Sequence, residues 1–295
     1  MSLGVLNNLN AIYAANNLNN TSNSLSTVLQ QLSSGSRINS GADDAAGLSL
    51  VDGLQANSTA LTQSVTNATE GVGLLKVADG ALSQVTNLLN RAVTLATESS
   101  NGTLNTSQLA AANQEYQSIL AEISNIGSTT TYNGNKVFSG TAVNIYTGDS
   151  TSTGASTDAL TIDTLSNANL GDTGGAISYA SSTISYTATA GQNLSATNLT
   201  SQTNAQTALT DLNTAITDVA AQDGYVGSQI NTLNSVSQVL GTQQQNIAAA
   251  QNAVQATDYA QATSNLSKYE ILSQTGISAL AQANSLQQEV TKLLQ

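Results

Sequence analysis

Between Leu212 and Val254 an apolar residue recurs every seven positions without a miss: Leu212, Val219, Val226, Leu233, Leu240, Ile247 and Val254. A repeat this long lays one apolar stripe along one face of a long helix. The position four residues after each member is mixed, with apolar Ile216 and Ile230 but polar Asp223, Ser237, Gln244, Gln251 and Asp258. A two-stranded coiled coil needs both positions apolar, so this helix is expected to pack among several others. The N-terminal half carries the same periodicity. Leu18, Leu25 and Leu32 form one register; Leu61, Ala68, Leu75, Leu82, Leu89 and Ala96 form a second, flanked by Val65, Val72 and Val93. The cluster Ser99-Ser100-Asn101-Gly102 breaks it. A shorter helix from about Ser107 to Ile126 should then bury Leu109, Tyr116, Ile119, Leu120, Ile123 and Ile126. After Asp258 the stripe resumes as Leu266, Tyr269, Ile271, Leu272, Ile277, Leu280, Leu286, Val290, Leu293 and Leu294.

Residues 127–200 have a different character, rich in Gly, Ser, Thr and Asp. Val143–Tyr146, Ala159–Ile162 and Thr183–Thr187 read as short hairpin strands, with turns at Thr147-Gly148-Asp149 and Gly171-Asp172-Thr173-Gly174. The expected fold is mainly α: long antiparallel helices from both chain ends form a rod-like bundle, with a small β-hairpin region from the central segment. The outermost segments, about 1–40 and 260–295, each carry an apolar stripe that one partner helix cannot cover. Such a pair is marginal in water and should become ordered when identical neighbours cover the remainder. The residues therefore point to an assembling subunit.

Composition narrows the chemistry. Of 295 residues, 8% are charged, and the net charge is −12. The six basic residues, Arg37, Lys76, Arg91, Lys136, Lys268 and Lys292, are scattered, which argues against nucleic acid and anionic membranes as partners. There is no Cys and no His, which removes thiol and imidazole catalysis and the usual zinc, copper and haem ligands. No calcium loop is recognisable, and no cofactor is expected. The sequence shows neither a cleaved secretory signal nor an apolar run of membrane-spanning length. Proline is absent too, so long helices escape kinks and refolding escapes slow isomerisation. Both suit a chain that travels unfolded.

The run from Leu32 to Leu48, Leu-Ser-Ser-Gly-Ser-Arg-Ile-Asn-Ser-Gly-Ala-Asp-Asp-Ala-Ala-Gly-Leu, closely resembles the N-terminal signature of bacterial flagellins. The stretches Ala256-Thr257-Asp258-Tyr259-Ala260 and Ile277-Ser278-Ala279-Leu280-Ala281-Gln282-Ala283-Asn284 resemble the flagellin ending. The resemblance spans about 1–140 and 203–295. It implies a non-enzymatic subunit of the extracellular flagellar filament used for motility, with 1–45 and 258–295 in the filament's inner core. It places 46–140 and 203–257 in a rod domain, and 141–202 in a short, variable, outward segment. Implied partners are other copies of the chain, a flagellar export chaperone on the C-terminal helix, the type III export apparatus, and the filament cap and hook-junction proteins. Leu25, Leu32, Arg37, Asp43, Asp44, Ile277, Leu280 and Leu286 are the expected assembly contacts. The segment Leu88–Ala96 resembles the one recognised by the flagellin-sensing Toll-like receptor, with Arg91, Leu95 and Glu115 on the contact positions. Val93 stands where many receptor-activating flagellins have a second Arg.

Each of these residues has a plainer reading. Asp43-Asp44 suits the positive end of a helix dipole better than acid–base work. Arg37 and Arg91 are each as readily a local pair or a solvated side chain as a contact. Asn101-Gly102-Thr103 matches a glycosylation triplet that a chain so rich in Asn, Ser and Thr produces by chance, and Ser and Thr of the middle zone are candidates for O-linked sugar. Tyr179 and Tyr186 read as β-packing residues. The nearest alternative is a hook–filament junction protein. An adhesive middle segment lacks aromatic platforms, and the metallopeptidase insert of some flagellins is excluded by the missing His.

Overall fold

The computed structural model describes residues 8–149, 157–171, 176–179, 182–185 and 191–293. Of the expected features, Asp172-Thr173-Gly174, Tyr186, Thr187 and Leu294 lie outside these residues, as do the first seven residues and the side chains of Tyr179, Val290 and Leu293. The structure is mainly helical. Its helices are α1 (Leu9–Ser34), α2 (Ala45–Ser99), α3 (Thr106–Thr129), α4 (Gln202–Gln255) and α5 (Tyr259–Leu293).

Local chemistry sets the helix ends. The Asn8 side chain accepts from the Ala11 N–H, and α1 stops at Gly35, whose left-handed φ of 71° lets its own N–H reach the Gln31 carbonyl. α2 ends at the expected Ser-Ser-Asn-Gly break. Asn105 and Gln108 form a reciprocal capping box that starts α3 at Thr106, one residue before the sequence expectation.

The chain divides into two compact units, Met1–Gln55 with Ile247–Gln295, and Ala56–Asn246. In the first, α1 and α5 run antiparallel. The Asn8 amide donates to the Ala283 carbonyl at 2.9 Å, and Leu18 packs beside Gly276. Of the expected α1 stripe, Leu18, Leu25 and Leu32 are half-buried, and Val28 is the buried residue of the helix. The loop after α1 is stitched to the one before α5. The Arg37 N–H donates to the Gln255 carbonyl at 2.7 Å, and the Thr257 N–H donates to the Gly35 carbonyl at 3.1 Å.

The second unit has a continuous apolar core built from α2, α3, α4 and the segments between α3 and α4. Leu61, Ala68, Leu75, Leu82, Leu89 and Ala96 are fully buried or nearly so, as are Leu212, Val219, Val226, Leu233 and Leu240. Tyr116, Ile119, Leu120 and Ile123 bring α3 into the same cluster; Leu109 and Ile126 stop half-way. The second buried stripe of α4 departs from expectation. It lies three residues after the first, at Ala208, Ala215, Gln222 and Gln229, while Ile216, Asp223 and Ile230 sit half-buried beside it. Some outlying polar positions are answered by polar partners: the Gln244 amide donates to the Thr62 hydroxyl at 2.7 Å. In the first unit, the Gln251 amide likewise donates to the Gln55 side chain at 2.9 Å.

A two-stranded hairpin, β1 (Thr131–Tyr132) and β2 (Asn135–Lys136), turns through Asn133 and Gly134. Both have positive φ, 49° and 79°, the conformation that an Asn-Gly pair supplies. An antiparallel sheet follows in the order β3 (Val143–Tyr146), β4 (Thr157–Leu160), β5 (Ala176–Tyr179) and β6 (Ser182–Ser185). β3 matches its expected span, β4 begins two residues earlier than expected, and β5 was not anticipated. α2 holds β3 in place. The Ser64 hydroxyl donates to the Gly148 carbonyl at 2.6 Å and the Asn67 amide to the Tyr146 carbonyl at 3.0 Å. Gly71 gives Ile145 and Leu233 room: a Cβ there would meet them at 3.2 and 3.1 Å.

Candidate assembly surface and receptor face

The heptad stripes leave a remainder. On α1, Leu9, Ile12 and Tyr13 are exposed, and on α5 Ile271, Leu272, Ile277 and Leu286 are exposed; Tyr13 and Ile271 reach 65% and 67%. Single exposed apolar residues are ordinary, but several along one helix pair make that pair the candidate binding surface. Between the two helices lies an open groove of about 510 Å³, lined by Ala14, Leu18, Thr21, Tyr269, Leu272 and Gly276 among others. Of the expected contacts, Ile277 and Leu286 stand on this exposed set, and Leu25, Leu32 and Leu280 are half-buried. Leu9, Ile12 and Tyr13 were missed because they precede the seven-residue register on which the stripe was read.

Arg37, Asp43 and Asp44 serve the loop they belong to. Arg37 Nη2 donates to the Val254 carbonyl at 2.7 Å, a cation at the negative end of α4. Asp43 lies before the helix start, not in it. Its Oδ2 accepts from the Asn39 N–H, the Ser40 N–H and the Ser40 hydroxyl at 3.1, 2.9 and 3.0 Å. The Asn39 backbone bond foremost, with the two from Ser40, holds its carboxyl below the usual carboxylate range. Asp44 caps α2 by accepting from the Gly47 N–H at 2.9 Å. Asp44 thus meets the dipole expectation, whereas Asp43 instead fastens the turn that leads into the helix.

On the second unit, Arg91 and Glu115 form an ion pair at 2.7 Å, with each side chain about half exposed. Leu95 is different. At 4% exposure it belongs to the core, because its place on α2 faces the same cluster as Leu89, Ala92 and Ala96. The structure corrects its assignment as a surface contact. Among the described residues, no group of three or more His, Cys, Asp or Glu side chains is placed to hold a metal ion, and no helix is long and apolar enough to cross a membrane.

Residues 5–143 match the family model of the bacterial flagellin N-terminal helical region, and residues 209–294 match that of the C-terminal helical region. A flagellin of Halalkalibacterium halodurans is 31% identical over 97% of this chain and 98% of its own length. A flagellin of Listeria innocua is 34% identical over 90% of each. Among solved structures, the Bacillus cereus flagellin crystal structure is 25% identical and covers 63% of this chain and 94% of its own, with a TM-score of 0.45.

Proposed function

This chain belongs to the bacterial flagellin family, structural subunits of the extracellular flagellar filament, and from that premise we propose how it travels and assembles. It leaves the cell unfolded by the flagellar type III route, with a chaperone covering α5, and polymerises beneath the filament cap. Residues 1–45 and 258–295 then form the inner core, 46–140 and 203–257 the surrounding rod, and 141–202 the outward segment. Assembly buries the exposed residues Leu9, Ile12, Tyr13, Ile271, Ile277 and Leu286, with half-buried Leu25, Leu32 and Leu280 completing the seam. Arg37, Asp43 and Asp44 contribute by shaping the loop between α1 and α2. Burying one such Leu or Ile side chain contributes about 1.5–3 kcal/mol, repeated at every subunit.

The observation that carries this reading is the set of apolar side chains that water still reaches on α1 and α5. Seeded growth of purified protein, followed by electron microscopy, tests it. The parent chain should grow long uniform filaments, and Ile277→Asp should stay monomeric with unchanged helical circular dichroism. A hook–filament junction protein would not elongate from seeds. Filaments from Ile277→Asp at the parent rate would overturn the contact assignment.

A second reading rests on the exposed Arg91–Glu115 pair: it forms a face for the flagellin-sensing Toll-like receptor. Leu95 supports that face from within the core. Reporter-cell activation by the parent chain and by Arg91→Ala compares the two directly, and equal responses would remove Arg91 from the contact.

A further inference from the structure

In the second unit α2 and α4 run antiparallel, and three contacts fix their register. The Gln244 amide donates to the Thr62 hydroxyl at 2.7 Å, Leu233 lies against Gly71, and the Gln202 amide donates to the Ser100 carbonyl at 3.1 Å. Counting along both helices from Gly71 and Leu233 brings Gly80 of α2 level with Gly224 of α4, with Gly227 less than a turn away. These glycines differ from their neighbours in what surrounds them. A Cβ on Gly71 would meet Leu233 and Ile145 at 3.1 and 3.2 Å, and one on Gly73 would meet the Tyr132 hydroxyl at 3.0 Å, so packing accounts for both. Nothing lies within 4 Å of where a Cβ would stand on Gly80, Gly224 or Gly227. Glycines that packing does not require weaken a helix interior. Gly241 is open as well, but no glycine of α2 comes level with it.

Two further features fall at the same level. Gln222 and Gln229, which flank the two glycines of α4, are each 1% exposed, and neither side-chain amide has a hydrogen-bond partner among the described residues. That is an unfavourable state for a buried polar group. The third helix also gives out here. Between the Arg91–Glu115 pair and the approach of Tyr132 to Gly73, Gly80 comes level with about Ile126, and α3 ends at Thr129. Leu82 and Val226 stay fully buried, so the apolar core runs through this level unbroken.

We propose that this level is a flexing joint of the second unit, where α2 and α4 bend and open locally while the core on either side stays closed. Folded chains open in local units that are less stable than the whole, and glycine pairs are among the places where long helices bend. Open glycines on both helices, unpartnered amides between them and the end of α3 each lower stability at one height of the unit.

Hydrogen exchange on the full chain as monomer tests this, with circular dichroism confirming that each variant folds. In the parent, amides at 78–82 and 222–228 should exchange faster than those at 89–95 and 208–215, where α3 still braces the helices. Gly80→Ala, Gly224→Ala and Gly227→Ala should each slow exchange at the joint by roughly four- to fivefold and leave the braced segments unchanged. Gln222→Leu with Gln229→Leu should slow it there too. Equal protection along both helices in the parent overturns the joint, as does slowing by the alanine variants that spreads evenly over all four segments. Faster exchange at the joint in the double leucine variant would show that the amides hold it shut, and would overturn the proposal as well.

Discussion

Arg37 and Val254 are 217 positions apart in sequence, yet the Arg37 guanidinium donates to the Val254 carbonyl at 2.7 Å. Beside it the Arg37 N–H meets the Gln255 carbonyl and the Thr257 N–H meets the Gly35 carbonyl. The loop after α1 thereby closes the end of α4. Arg37→Ala removes the side-chain bond but leaves the backbone stitches. It should cost about 1 kcal/mol, and hydrogen exchange should quicken at Gln255–Thr257 before it does so elsewhere.

Leu233 is 1% exposed in the core of the second unit and lies against Gly71. Leu233→Ala should cost about 2–5 kcal/mol. Leu233→Asp buries an unpartnered carboxylate and should cost more, enough to abolish filaments. Urea titration of the monomer measures both, and filament formation by Leu233→Asp would show that the stripe was misassigned.

Asp44 caps α2 through the Gly47 N–H. Asp44→Ala should destabilise the start of that helix by about 0.5–2 kcal/mol, whereas Asp44→Asn or Asp44→Ser should largely restore it. Chemical denaturation of the three variants provides the comparison.

Two carboxyls carry opposite pH signs. Asp43 is lowered by the bonds from Asn39 and Ser40, so its contribution is present above the unfolded value and lost as pH falls through the folded one. Amide exchange at Asn39 and Ser40 should therefore rise in strong acid. Asp158 is buried, and burial raises its carboxyl even though the Thr147 hydroxyl donates to it. Asp158→Asn should accordingly raise Tm near neutrality and narrow the rise seen in parent protein on acidification.

The pair Arg91–Glu115 is exposed on both sides. Exposed pairs contribute about 0–1 kcal/mol, so Glu115→Gln should leave Tm within a degree or two. A large fall in receptor response at unchanged Tm would separate recognition from stability.

The long helices were legible because apolar stripes at seven-residue spacing have few other solutions. The break after Ser99 announced itself through residues that stop helices, and β3 through its β-branched residues at Val143 and Ile145. The second stripe of α4 was hidden because Ala208 and Ala215 carry little apolar bulk and Gln222 and Gln229 are polar. Packing of α4 into the shared core buries them, and the periodicity of a single helix does not reveal that packing. Leu95 was read by motif as a contact, although it lies four residues before the buried Ser99 and one before the buried Ala96.

With Ser64 and Asn67 of α2 holding the carbonyls of Gly148 and Tyr146, those acceptors on β3 and the turn after it are no longer open to a foreign strand. A sheet that offers free acceptors at its border invites cross-β stacking wherever many copies crowd together. Where copies of a chain meet at high concentration, these two acceptors are already taken by a helix of their own molecule.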